Sequence, residues 1–207
     1  YFGNERLHVS LGGSVPEVDL EARLQFRNEH SFPVTDVTNY NVFGRSTVFG
    51  RRTFQPPNPP VERGLLRSLD LRLQWGDELP LLGVLPVERV VAEVEHSADW
   101  LASDFAFTRG RVAVDTRVET FFRRRLLANT LDVRVVAGGA FGTLPLQRFG
   151  VVEASPLPYT PFGALRTLDD RPYQGTEHAA LFWEHNFRTV PFEWLGLYAL
   201  AERHIEL

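Results

Sequence analysis

One stretch of the chain decides the fold: Val18-Asp19-Leu20-Glu21-Ala22-Arg23-Leu24-Gln25-Phe26-Arg27. Apolar and polar residues alternate along it, and Leu69-Asp70-Leu71-Arg72-Leu73-Gln74-Trp75 repeats the pattern. Successive side chains of a β-strand point to opposite faces, so this period of two predicts strands with one apolar and one charged face.

Similar runs extend the pattern along most of the 207 residues. Strands are predicted near 7–11, 18–27, 65–75, 89–96, 105–122, 131–141 and 177–187, with a further candidate over 40–49. Polar, Gly-rich or Pro-rich stretches separate them, and no strand–helix–strand unit is evident. The sequence therefore predicts an all-β fold, an antiparallel meander of eight to nine strands.

Two longer connections stand out. The stretch 142–175 is rich in Gly and Pro and is too long for an ordinary hairpin loop, which predicts a functional loop or an interrupted strand pair. The stretch 190–201 fits a short amphipathic helical turn as well as it fits a strand.

Composition narrows the class of protein. The chain has no Cys, which excludes disulfides and thiolate metal sites. Its formal net charge of -4 disfavours nucleic acid as a partner. No apolar run approaches the roughly 18 residues of a transmembrane helix. The chain begins at Tyr1 and is expected to be a fragment forming one unit over residues 1–207.

The charged faces carry both signs, which is typical of the inner wall of a transmembrane barrel, where cross-strand ion pairs fix the register. A solvated sheet of a soluble sandwich explains the same residues, and both readings stay open at this point. The candidate lumen-facing charges are Asp19, Glu21, Arg23, Asp115, Arg117 and Glu119.

Aromatic residues recur near the predicted strand ends. Transmembrane barrels carry such girdles where strands cross the membrane surface, although aromatics also anchor ordinary β-cores. The candidate interface aromatics are Trp75, Trp100, Trp183 and Trp194.

A resemblance favours the barrel. It is carried by Gly139-Ala140-Phe141-Gly142-Thr143-Leu144-Pro145-Leu146-Gln147-Arg148-Phe149, by the run from Phe162 to Arg171-Pro172-Tyr173, and by Ala180-Leu181-Phe182-Trp183-Glu184-His185-Asn186-Phe187. These segments resemble the end of an uncharacterised outer-membrane β-barrel family of Bacteroidota-type bacteria. Its members often carry a carboxypeptidase-regulatory-like domain before the barrel, and they are distantly similar to the surface-antigen and BamA-type barrels.

In that superfamily an inward-folded loop carries an Arg-Gly-aromatic motif that packs against charged residues of the inner wall. Arg171-Pro172-Tyr173 stands in a similar place, with Pro where the motif has Gly. The resemblance therefore implies that Arg171 and Tyr173 belong to a lumenal loop. A buried Arg needs a carboxylate partner, and Glu177 and Glu184 are the candidates.

Enzyme motifs are absent from the sequence: it has no phosphate-binding Gly-rich loop, no Gly-x-Ser-x-Gly elbow and no His-Glu-x-x-His pair. His178 and His185 would face opposite sides of one strand, so no metal site and no cofactor are expected. Glu93 and Glu95 share a face, as a glycosidase pair would, and keep a carboxylate-based hydrolase open as an alternative.

The sequence thus predicts the C-terminal portion of an outer-membrane β-barrel of a Gram-negative bacterium, a non-enzymatic scaffold for protein export, membrane insertion or uptake. Its expected partners are the lipid bilayer, lipopolysaccharide and outer-membrane protein substrates. A soluble all-β binding module, such as a glycan-binding sandwich, is the first alternative. The carboxylate hydrolase is the second.

Overall fold

The fold is all-β, as predicted. A computed structural model describes residues 2–33, 47–48, 51–52, 61–76, 88–120, 129–152, 162–163 and 173–203. Seven long strands form one sheet. They are β1 (Phe2–Val15), β2 (Leu20–Pro33), β5 (Gly64–Gly76), β6 (Glu88–Ser97), β7 (Phe107–Thr120), β8 (Asn129–Gly142) and β11 (Glu177–Asn186).

Each long strand pairs antiparallel with the next one along the chain, in the order β1-β2-β5-β6-β7-β8-β11. This is the predicted meander, with seven strands in the main sheet. Strands β1 and β11 form its two edges. Within the described residues the sheet is open, because these two edge strands do not pair with each other.

Four short strands form two additional hairpins: β3 (Thr47–Val48) pairs with β4 (Arg51–Arg52), and β9 (Gly150–Val152) pairs with β10 (Tyr173–Gly175). The second hairpin agrees with the interrupted strand pair predicted inside 142–175. Of the predicted strand over 40–49, only 47–48 lies within the described residues.

Helices are short. Two five-residue helices, α1 (Val190–Trp194) and α2 (Tyr198–Glu202), follow the last strand and agree with the helical alternative for this stretch. Single 3-10 turns lie at Pro16–Val18, Asp99–Leu101 and Leu146–Arg148. In the described part of the chain, no helix has the length and apolar character needed to cross a membrane.

The turn between β1 and β2 corrects one prediction. Asp19 was expected on a strand, among the charges of the polar face, but it lies in the turn with a positive φ of 48°. Asp is one of the few residues other than Gly that tolerates this left-handed conformation, which lets the chain reverse direction. The carboxylate of Asp19 is exposed there and belongs to neither face of the sheet.

More polar and charged side chains than apolar ones are buried among the described residues, which is the reverse of a typical globular protein. Among the described residues, seven apolar side chains are buried, compared with ten polar or charged ones. The small apolar core consists of Leu66, Phe105 and Phe107, with Leu144 packed against it. Folded domains normally bury Leu, Val and Phe and expose charges. The reason for the reversal lies in the two faces of the sheet.

Candidate functional site

The two faces of the sheet differ in chemistry, as the alternation predicts. We call one the apolar face and define it by two rows of residues that stand opposite one another in register across all seven strands. One row is Val15, Leu20, Trp75, Val90, Val114, Val135 and Leu181. The other is Gly13, Ala22, Leu73, Ala92, Val112, Ala137 and Ala179.

Large side chains of the apolar face are exposed. Leu181 has 66% of its surface exposed and Trp183, on the same face of β11, has 76%. Leu71, Leu73 and Trp75 of β5 are also exposed. A contiguous apolar surface of this kind is rare on monomeric soluble proteins and marks a site of interaction.

The opposite side, which we call the polar face, holds the intervening residues of the same strands. Two groups of charged side chains lie on it. The first, the carboxylate cluster, consists of Glu29, Asp70 and Glu95 with Arg27, Arg109 and Arg148. The second, the arginine cleft, consists of Arg72, Arg89, Arg111 and Arg134 with Glu93 and Asp115.

Glu95 lies at the centre of the carboxylate cluster and is only 1% exposed. Its Oε2 lies 2.6 Å from Nε of Arg109, and its Oε1 accepts a hydrogen bond of 2.7 Å from the Ser68 hydroxyl. Arg148 bridges two carboxylates, with its Nη2 2.8 Å from Glu29 and its Nε 3.4 Å from Glu95. Burial of a carboxylate is tolerated only with such partners. The cluster has three acids and three arginines, so its charges balance.

Arg148 reaches the cluster because the chain after β8 folds back over the polar face. Thr143 begins this segment by donating its N–H to the Ala106 carbonyl, 2.7 Å away. Gln147 exchanges two hydrogen bonds with the backbone of Glu62, 85 residues earlier. The Arg148 carbonyl in turn accepts a hydrogen bond from Arg109. We call residues 143–152 the covering segment.

The arginine cleft lies beside the covering segment. Four guanidinium groups line a cavity of about 260 Å³, those of Arg72, Arg89, Arg111 and Arg134. Asp115, only 1% exposed, pairs with two of them, Arg134 at 2.5 Å and Arg89 at 3.3 Å. Glu93 pairs with Arg72 at 3.1 Å. Unlike the carboxylate cluster, this group contains more arginines than carboxylates.

A histidine fills the space next to a smaller cavity of about 200 Å³. The imidazole of His178 packs against Gly138 and Gly150, where a Cβ on either glycine would collide with the ring. Both ring nitrogens are buried, and within the part of the chain that the structure describes neither has a hydrogen-bond partner. His185 lies on the opposite face of β11, as the alternation of the strand predicts.

Three of the candidate lumen-facing charges, Asp115, Arg117 and Glu119, lie on the polar side of β7, each with a different neighbour. Asp115 pairs with Arg134, and Arg117 forms a two-pronged contact with Asp132, with its Nη2 3.1 Å from Oδ2. Glu119 lies on the same face, opposite Thr130 in register. Glu21 and Arg23 also lie on the polar face, near the start of β2 and next to the β1–β2 turn, and both are exposed.

The predicted loop residues are only partly described. Arg171 lies outside the described residues, and Tyr173 begins β10. Glu184 lies on the polar face, opposite Asp132. Glu177 lies at the start of β11 on the side that carries Leu181 and Trp183, so it does not face the charged clusters.

The four tryptophans lie at strand ends or beyond them. Trp75 is the second-last residue of β5, and Trp183 lies near the end of β11, at the same end of the sheet. Trp194 ends α1, which follows β11. Trp100 lies in the turn after β6, at the opposite end. All four are exposed.

The arginine that enters the carboxylate cluster is not one that the sequence singled out. The resemblance pointed to Arg171, whereas the structure brings Arg148 onto the polar face. The signal available in the sequence was Pro145-Leu146-Gln147-Arg148, a charged residue within a connection too long for a hairpin. Nothing in that pattern names Glu29 and Glu95 as its partners, because both are distant in the chain.

Glu93 and Glu95 share the polar face, as predicted, but they have different partners. Glu93 contacts Arg72, whereas Glu95 is surrounded by Ser68, Arg109 and Arg148. Across the described residues, no group of three or more His, Asp or Glu side chains is placed to hold a metal ion.

Comparison with known proteins does not assign a family. The chain matches no protein-family model, and searches of curated proteins and of solved structures also return no match.

Proposed function

We propose that this chain is a section of an outer-membrane β-barrel of a Gram-negative bacterium, with the apolar face toward lipid and the polar face toward the lumen. The carrying observation is that Glu95 and Asp115 are buried while Leu181 and Trp183 are exposed. A lipid bilayer covers the second pair without a second protein layer, and a closed polar interior accommodates the first.

The position of the aromatic residues supports the same proposal. Exposed Phe141 and Trp100 lie at one end of the sheet, and exposed Trp75 and Trp183 at the other. Leu69, in the row of Phe141, and Trp75 are six residues apart on β5, about 20 Å at roughly 3.3 Å per residue. This separation is on the order of the apolar band of transmembrane barrels, about 25 Å, which aromatic girdles flank.

The proposed role is that of a scaffold in protein export, membrane insertion or uptake, as the resemblance implies. The covering segment supports a lumenal plug or regulatory loop, because Arg148 fixes it to the inner wall through Glu29 and Glu95. The bilayer, lipopolysaccharide and outer-membrane proteins are the proposed partners.

If the chain were a soluble binding module, a second protein layer would cover the apolar face. In the parts of the chain that are described, Leu181 and Trp183 have no such cover. This observation favours the barrel over the sandwich.

The test uses the absence of cysteine in the chain. Leu24→Cys places a thiol on the apolar side of β2, and Gln25→Cys places one on the polar side. Each variant is labelled with an environment-sensitive fluorophore after refolding into lipid vesicles. We expect blue-shifted emission at position 24 and water-like emission at position 25, together with heat-modifiable migration on gels. A protein that stays monomeric in buffer without detergent, with both labels reporting water, would overturn the proposal.

A further inference from the structure

The arginine cleft carries a surplus of positive charge. Among the described residues, its charged groups are Arg72, Arg89, Arg111 and Arg134 on one side and Glu93 and Asp115 on the other, four cations against two anions. The neighbouring carboxylate cluster is balanced at three against three. The surplus therefore belongs to the cleft itself.

Two of the four arginines retain unused hydrogen-bonding capacity. Arg111 is exposed and lines the cavity, and no ion pair or side-chain hydrogen bond joins it to another described residue. Arg89 is 7% exposed, and its buried Nε has no hydrogen-bond partner among the described residues. Its two contacts, with Asp115 at 3.3 Å and with Gln74 at 3.4 Å, are long. A buried guanidinium with an unpaired N–H is costly unless an acceptor completes it.

The remaining wall of the cleft is apolar. Val91, Val136 and Phe182 line it beside the guanidinium groups. A pocket that combines a few directed polar groups with an apolar wall is typical of a small-molecule site. Its volume of about 260 Å³ suits a small ligand.

We infer that the arginine cleft binds a small organic phosphate, a phosphate monoester with a short apolar body. The phosphate dianion matches the surplus of two charges, and planar guanidinium groups bind phosphate oxygens in pairs. The apolar body packs against Phe182 and Val136. This inference goes beyond the proposed function, because it rests on the polar face and holds whether or not the apolar face meets lipid.

A phosphate monoester group could come from a soluble phosphate ester or from the headgroup of a phospholipid. The probes are therefore phenyl phosphate for the first and dihexanoyl phosphatidic acid for the second, titrated calorimetrically into the folded protein at 0.15 M salt, about the physiological ionic strength. Binding of either supports the site, and the tighter probe identifies the source. Benzoate, a monoanion of similar shape, is expected to bind at least several-fold more weakly than phenyl phosphate.

Arg111→Gln is the decisive variant, because it removes a guanidinium without breaking an ion pair. We expect at least a tenfold loss of phenyl phosphate affinity. Arg23→Gln is the matched control: Arg23 lies on the same polar face, next to Arg72 in register, but does not line the cavity. Its affinity should change less than threefold.

Three results would overturn the inference: no phosphate probe binds the wild-type protein at millimolar concentration, phenol binds as tightly as phenyl phosphate, or the two Arg variants lose affinity equally. The last would indicate unspecific attraction to the charged face. Far-UV circular dichroism of each variant, measured in parallel, reports whether the β-sheet is folded, with or without a barrel. Heat-modifiable migration tests the barrel alone, so failure of the barrel proposal and failure of the phosphate site are distinguishable.

Discussion

At the scale of single residues, Arg148 is the side chain that links the covering segment to the sheet. It contacts Glu29 and Glu95, both of which are buried, from a segment with no strand of its own at that point. A buried carboxylate that loses its cation is left uncompensated, which is more costly than removing both partners. The stability of this region should therefore depend strongly on one guanidinium.

Arg148→Ala is expected to destabilise the fold by about 3 kcal/mol, the cost typical of removing one partner from a buried ion pair. The measurement is urea unfolding followed by tryptophan fluorescence. Arg203→Ala, at the exposed end of α2, is the control and should change the free energy of unfolding by less than about 0.5 kcal/mol. Equal stability of wild type and Arg148→Ala would show that the segment is not held by this contact.

Some single-residue predictions from the sequence agree with the structure and others do not, and the difference has a physical cause. Asp115, Arg117 and Glu119 share the polar face as predicted, because a strand fixes which side each residue faces. Asp19, one residue before β2, was misplaced because a turn interrupts the alternation there. Arg148 was missed because its role depends on contacts with strands far away in the sequence.

At the scale of elements, neighbouring residues of one long strand lie on opposite faces of the sheet. Substituting two such neighbours therefore tests whether lipid or water covers each face. Leu11 and Ser10 are neighbours on β1, both exposed, with Leu11 on the side of the apolar face and Ser10 on the polar side. If lipid covers the apolar face, a charge is costly on one side only. If water covers it, a charge is harmless on both.

Leu11→Arg is expected to destabilise the protein folded in a bilayer by about 2–4 kcal/mol, the cost typical of an Arg near the bilayer midplane, because the guanidinium must leave water. Ser10→Arg should cost less than about 1 kcal/mol. Urea titration of the refolded protein in vesicles measures both. Equal stability of the two variants, or a more soluble Leu11→Arg protein in buffer alone, would contradict a lipid-covered face.

At the scale of the whole molecule, exposed tryptophans lie at both ends of the sheet. Trp75, Trp183 and Trp194 lie toward one end, and Trp100 lies at the other. A protein that crosses a bilayer would hold both ends near the headgroups, because the amphipathic indole ring prefers the membrane surface.

Single-tryptophan proteins, with the other three residues replaced by Phe, test this arrangement in vesicles of brominated lipid. Fluorescence of Trp75, Trp100 and Trp183 should be quenched more by bromines near the headgroup than by bromines near the chain ends. Quenching by neither lipid would indicate that the tryptophans do not contact a bilayer. Quenching that is strongest with the deep bromines would contradict the girdle arrangement.

The sequence by itself determined the strands, their antiparallel order and the chemistry of the two faces. These follow from a local rule, since side chains two residues apart share a face wherever the backbone is extended. The tertiary structure alone decided which carboxylate meets which arginine, that the covering segment lies on the polar face, and that four guanidinium groups surround one cavity. Those contacts depend on strand register and on the return of a long connection across the sheet. Register and loop closure join residues as far apart as Glu62 and Gln147, and no local pattern encodes them.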